Sequence, residues 1–322
     1  MSDTATAPSA TPAAPPPPVD RATLRLAAFV GGLALALVAG FGLGRVVTTS
    51  GSSRPSDTAP AADHTHAPGT GPHDHGSGGT GTTARAGAEA GGLGLSGSGY
   101  TLVPTATELP AGARHDLQFR IVGADRKPVT TFAVVHDKPL HLIVARRDLS
   151  GYQHLHPTMA PDGTWSVPLV LPQPGIWRAY ADFTAVDATG TQTALTLGVD
   201  LVAAGTYAPR ALPAPAKEAT TDGFTVRYEG TPQVGAVAPV LFHVLRDGAP
   251  VTGLERYLGA YGHLVVLREG DLGYVHVHPE EQMSGGAVKF WLALPSPGRY
   301  RMFFDFQVAG AVHTAGFTVT VA

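Results

Sequence analysis

Six histidines recur at matched spacing in two stretches of the chain. They are His141, His154 and His156 in "HLIVARRDLSGYQHLHP", and His263, His276 and His278 in "HLVVLREGDLGYVHVHP". The stretches align without a gap and share nine of seventeen residues, so they are copies of one unit. Imidazole suits Zn, Cu(II) and Ni, and three ring nitrogens held about 2.0 to 2.1 Å from an ion fill most of a tetrahedral shell. The 322-residue chain has no cysteine. That excludes disulfides, thiolate sites and Cys nucleophiles, and leaves His, carboxylate and Met to hold a metal.

Each stretch reads as a β-hairpin. A first strand, "HLIVAR" or "HLVVLR", runs into a turn ending in Gly151 or Gly273, and a second strand carries the H-x-H pair. Side chains alternate along a strand, so His154 and His156 share a face, as do His276 and His278. Folding about the turn brings His141 toward His156 and His263 toward His278, which predicts one three-histidine site per copy, for copper or zinc. The repetition fits a second account equally well, in which the imidazoles brace the hairpin through hydrogen bonds to Tyr152 or Tyr274. Asp182 and Asp305, at matching positions, could orient a histidine. Alternation instead puts Asp305 on the face of Arg301, and an outward polar face is the plainer reading. His115, His136 and His243 have no counterpart in the other copy and read as structural or surface residues. His313, Met159 and Met283 are lesser candidates.

The surrounding elements are short runs of strand-forming residues, such as "TWSVPLVL", "GFTVRYEG" and "AVKFWLAL", punctuated by Asp-Gly and Pro-Gly turns. Gly (40) and Pro (28) are abundant, which argues against long soluble helices. The fold class is all-β, with β-sandwiches at residues 99–204 and 222–322 and a Pro- and Ala-rich linker at 205–221.

Ahead of them, residues 24–44 form an apolar run long enough to cross a membrane as a helix. The short Pro-rich segment 1–23 is expected on the cytoplasmic side, because everything foldable follows the helix. Gly40 and Gly44 form a G-x-x-x-G that would let two such helices pair weakly. Residues 45–98 read as a flexible stalk carrying His64, His66, His73 and His75, a tract suited to loose chelation. Gly92, Gly94 and Gly97 satisfy G-x-G-x-x-G, but no strand precedes them and no helical pattern follows, so a dinucleotide site is rejected. The net charge of -3 and the absence of basic blocks exclude nucleic acid as a partner.

The paired "YQHLHP" and "YVHVHP", with "PGIWRAYADF" and "PGRYRMFFDF", resemble a group of uncharacterised bacterial membrane-anchored or secreted proteins with tandem Ig-like domains, associated with heavy-metal or copper handling. The resemblance spans roughly residues 100 to 322. It implies an extracytoplasmic domain, with His141, His154, His156, His263, His276 and His278 as the matching positions, and it names no metal or reaction. Taken with the repeated histidines, the reading is a membrane-anchored, extracytoplasmic metal-binding protein of copper or zinc type. The alternative is an envelope interaction or adhesion module, with an envelope protein as partner and structural histidines. No G-x-S-x-G or H-E-x-x-H is present, so the reading is of a non-enzyme.

The topology is testable. Residues 46–322 are expected outside the cytoplasm, so protease added to intact spheroplasts should degrade them. Protection equal to that of a cytoplasmic control would reverse the orientation.

Overall fold

The computed structural model describes residues 89–322. The segment 24–44, the segment 1–23 and the stalk histidines lie outside them. Among the described residues no helix is long and apolar enough to cross a membrane. Every element among the described residues is a β-strand, and the strands form two tandem β-sandwiches.

In the first repeat one sheet orders Ser96–Gly97, Tyr100–Pro104, Arg114–Val122, Thr164–Val170 and Thr158–Met159. The other orders Glu108–Leu109, Gln192–Ala203, Gly175–Val186, Leu140–Arg146 and Gln153–Leu155. The second repeat copies the plan. Phe224–Glu229, Ala238–Arg246 and Val288–Leu292 form one layer, and His263–Arg268, Gly298–Val308 and Ala311–Val321 the other. Alternation builds each core: on Arg114–Val122 the inward Leu117, Phe119 and Ile121 are buried while their neighbours face solvent.

The strands bearing His141 and His263 behave differently, because both of their faces are covered. Leu140, Leu142 and Val144 pack into the first repeat's own core. Ile143 and Ala145, on the opposite face, join Tyr180, Val265, Leu267, Leu272, Tyr274 and Phe303 in a third cluster that belongs to both repeats. A continuous apolar run such as "HLIVA" is what a doubly covered strand requires. The docking is pseudo-symmetric. Tyr152 of the first repeat stacks on Phe303 of the second at 4.1 Å, and Tyr274 of the second lies 5.6 Å from Tyr180 of the first, ring centre to ring centre.

Two expected spacers are held against this interface. Residues 89–98, assigned by composition to the flexible stalk, are described and paired. Gly91 exchanges backbone hydrogen bonds with Tyr274, and Gly92 N donates to Thr196 O. The Arg178 guanidinium donates to the carbonyls of Gly92 and Leu93. Gly92 has φ +68°, and a Cβ there would lie 2.4 Å from the Tyr180 ring. The glycines thus serve close backbone approach. The linker 205–221 is held as well, and its last four residues join the second sandwich. Buried Arg146 donates to Ala208 O and Arg210 N donates to Asp148. Glu218–Thr221 is a strand that returns as Phe224–Glu229 through Asp222 and Gly223, both at positive φ, as a two-residue hairpin turn demands.

A shared apolar cluster couples the repeats. A chain of residues 89–322 is expected to melt in one calorimetric transition. Phe303→Ala should lower it by about 3 to 5 kcal/mol, the usual cost of deleting a buried phenyl ring. Two transitions, with only the second displaced, would show that the repeats unfold independently.

Candidate metal centre at the repeat boundary

Strand pairing sets the histidines. In the first repeat Gln153–Leu155 lies antiparallel to Leu140–Arg146, with His154 opposite Ile143. Antiparallel register also places His141 opposite Asp182 and, in the copy, His263 opposite Asp305. Docking of the repeats then brings His263 onto the first repeat's histidines. One ring nitrogen each from His141, His154 and His263 lies within 4.8 Å of the other two. The His263 ring stacks on that of His141 at 5.4 Å and lies 4.6 Å from that of His154.

A single hydrogen-bonded chain links four of the groups. Val135 O lies 3.0 Å from His141 Nε2, His141 Nδ1 lies 3.1 Å from His154 Nε2, and His154 Nδ1 lies 2.9 Å from Asp305 Oδ2. Tyr152 also donates to Asp305 Oδ2, at 2.9 Å, and Thr314 donates to Oδ1, at 2.6 Å. A carbonyl and a carboxylate accept, so His141 carries its proton on Nε2 and His154 on Nδ1. When both rings are neutral, His141 Nδ1 and His154 Nε2 therefore face each other with a lone pair apiece. Only a cation between them, a proton or a metal ion, makes that approach favourable.

Burial works against charge on three of the rings, His141, His156 and His263. Burial pushes the His141 pKa down to about 4, against the pull of the Val135 carbonyl, and the neighbouring His154 adds to the depression. Burial, then His154 and His141, pushes His156 down to about 3. Burial holds His263 well below the usual imidazole range, with His154 and His141 next in effect. Within the cluster two ring nitrogens, His263 Nδ1 and His156 Nε2, are shut off from solvent without a hydrogen-bond partner. Buried polar atoms are seldom left so.

The expected sets divide unevenly. His141, His154 and His156 come together, with His156 centred 4.8 Å from His154 and 5.2 Å from His141. His263 does not join His276 and His278. Pairing with its strand stops at Val275, and Val277–Pro279 crosses to the other sheet, where His278 sits opposite Trp291. The His276 and His278 rings are 5.0 Å apart, with His276 exposed. The geometry thus gathers His141, His154 and His263 at the boundary and sets His276 and His278 apart from His263.

Sequence reasoning misplaced two neighbours. Asp305, read as part of an outward face, is 1% exposed and bonded to His154. Its face is outward only with respect to its own sandwich, since the other repeat covers it. His136, read as incidental, lies 5.7 Å from His263 and 6.2 Å from His141, centre to centre. It occupies the tip of a turn, at φ +50° with Asp137 at +60°, where Val135 and Lys138 bridge. The available signal was the matched register of His141 with Asp182 and His263 with Asp305.

No curated protein matches the chain. Among solved structures it is similar to FdeC, an Escherichia coli adhesin, at 14% identity and a TM-score of 0.24, over 71% of this chain and 65% of that one. It is similar also to invasin, a bacterial integrin-binding protein, at 13% identity and 0.22, over 71% and 41% of the two chains. The D0-D1 domain of intimin matches at 13% and 0.19, over 68% and 97%. The chain thus spans less than two thirds of the first two structures, and the likeness concerns fold alone. One family matches both sandwiches, over residues 96–200 and again over 219–322. The chain therefore belongs to the family described as a domain of unknown function, DUF8832, which it carries twice.

Proposed function

We propose that the chain is a membrane-anchored, extracytoplasmic metal-binding protein whose two Ig-like repeats share one transition-metal site. His141 and His154 come from the first repeat and His263 from the second. The observation that carries this reading is the pair of facing ring nitrogens, His141 Nδ1 and His154 Nε2, at 3.1 Å. Each ring's other nitrogen is already committed, to Val135 O and to Asp305. Metal-bound histidines almost always donate their second N–H to a carbonyl or carboxylate in this way, which fixes the tautomer and raises ligand basicity. The unpartnered Nδ1 of His263 supplies the third lone pair. An all-imidazole set suits copper or zinc. Because the donors come from two sandwiches, an ion held by them would also pin the repeats together.

The second reading is an envelope interaction module in which the same histidines only brace the boundary. The fold likeness to FdeC, invasin and intimin accords with that reading, and it needs one proton at the facing nitrogens in place of an ion. The anchor, residues 24–44, is part of the proposal and is tested by the topology experiment above.

Residues 89–322, which omit the stalk histidines, are expected to bind one Zn(II) or Cu(II) per chain in a competition titration. His263→Gln should abolish tight binding, and Asp305→Asn should weaken it about 10- to 100-fold, the usual effect of losing a histidine's outer partner. Saturation at about 100 times Kd should raise stability by about 2.7 kcal/mol. A parent that binds nothing tighter than about millimolar, roughly -4 kcal/mol, would leave the histidines as braces and favour the interaction module. Tight binding that survives His263→Gln would show that the second repeat contributes no ligand.

A further inference from the structure

The three histidines of the centre leave His156 aside, yet its Nε2 is unpartnered and its ring lies 4.8 Å from His154, centre to centre. On its other side His156 lines a cavity of about 440 Å³, together with Phe132, Asp137, Lys138, Met159 and Trp165. The cavity's rim is solvent-exposed at Asp137 and Thr158. Its inner wall is therefore one imidazole away from a buried centre. None of His141, His154 and His263 lines this cavity. A buried metal site needs a route by which the ion reaches it. An imidazole that borders both the cavity and the centre offers the stepping ligand on such a route.

We propose that this cavity is a metal-capture site, with His156 as its ligand. His156 would pass the ion inward to His141, His154 and His263, a role that rests on the metal-binding reading above. The step is a ligand exchange without change of oxidation state: the bond to the His156 imidazole breaks as bonds to the three inner nitrogens form. Each ring donates a lone pair, and no electron is transferred. The Met159 thioether on the same cavity wall adds a soft donor, which favours Cu(I) over Zn(II) at the capture stage. Rim charges from Asp137 and Lys138 offset one another, so capture rests on the soft and imidazole donors more than on net charge.

The test is kinetic and uses residues 89–322. Zn(II) uptake is followed by stopped flow against a chromophoric chelator, and the equilibrium Kd is measured on the same samples. His156→Gln is expected to slow uptake at least tenfold while changing Kd less than threefold. Thr158→Trp, which fills the mouth from its exposed rim and leaves all the histidines in place, should slow uptake in the same way. Met159→Leu should slow Cu(I) uptake and leave Zn(II) uptake unchanged. His263→Gln separates the two proposals, since it should keep a rapid, weak capture phase and lose the tight one. Parent-like uptake rates in both His156→Gln and Thr158→Trp would overturn the capture role. So would a weakened Kd with an unchanged rate, which would make His156 a fourth ligand of the centre. A parent that takes up no metal would overturn both proposals together.

Discussion

The carboxylate of Asp305 is the constraint on which the boundary between the repeats depends. It is buried, and a buried carboxylate is tolerated only when its lone pairs are answered by donors. One donor, Thr314, comes from its own repeat, and two, Tyr152 and His154, come from the other. Separating the repeats would leave the charge without two of its three partners, so the polar network and the apolar cluster around Phe303 favour the same docking. Removing one partner of such a network costs more than the contact itself contributes. His154 is thereby held with one nitrogen fixed and the other aimed at His141.

Duplication explains both the symmetry and its failure. Copies of one hairpin meet face to face, so each aromatic of one finds an aromatic of the other, and each Asp sits beside a His in register. The copies have since diverged at the turn that precedes the first strand. Where the first repeat has Val135, His136 and Asp137, the second has Tyr257, Leu258 and Gly259. Tyr257 approaches His154 and His156, ring centres 6.4 and 6.3 Å away, while His136 approaches His263. Asp182 keeps its hydroxyl partner, Thr196. Its half of the interface has no counterpart of the His154 bond, because the chain leaves the sheet after Val275. One half of the pseudo-symmetric pair is therefore richer in converging nitrogens than the other.

The facing nitrogens bear most directly on function. The outer nitrogens of the two rings are committed to Val135 O and Asp305, and the inner nitrogens, His141 Nδ1 and His154 Nε2, face each other at 3.1 Å. A proton on either ring or a shared metal ion would answer that approach, so the bracing and the metal-binding readings meet at these two atoms.

The sequence by itself determined the strands, the duplication and which histidines share a face, because these are local properties: period-two alternation, turn chemistry and a repeated string. It also marked His141, His154 and His263 as candidates. It could not show that they meet, since His263 is more than a hundred residues from His154 and reaches it only through docking of one sandwich on the other. The doubly apolar strands signalled a second covered face without naming its occupant. For the same reason Asp305 looked solvent-facing and residues 89–98 looked like spacer. Strand alternation defines outwardness within one sandwich, whereas burial is decided by the pair. His276 and His278 were grouped with His263 by extending a hairpin whose pairing ends at Val275, and where a strand leaves its sheet is settled by tertiary competition between two layers for the same backbone donors and acceptors.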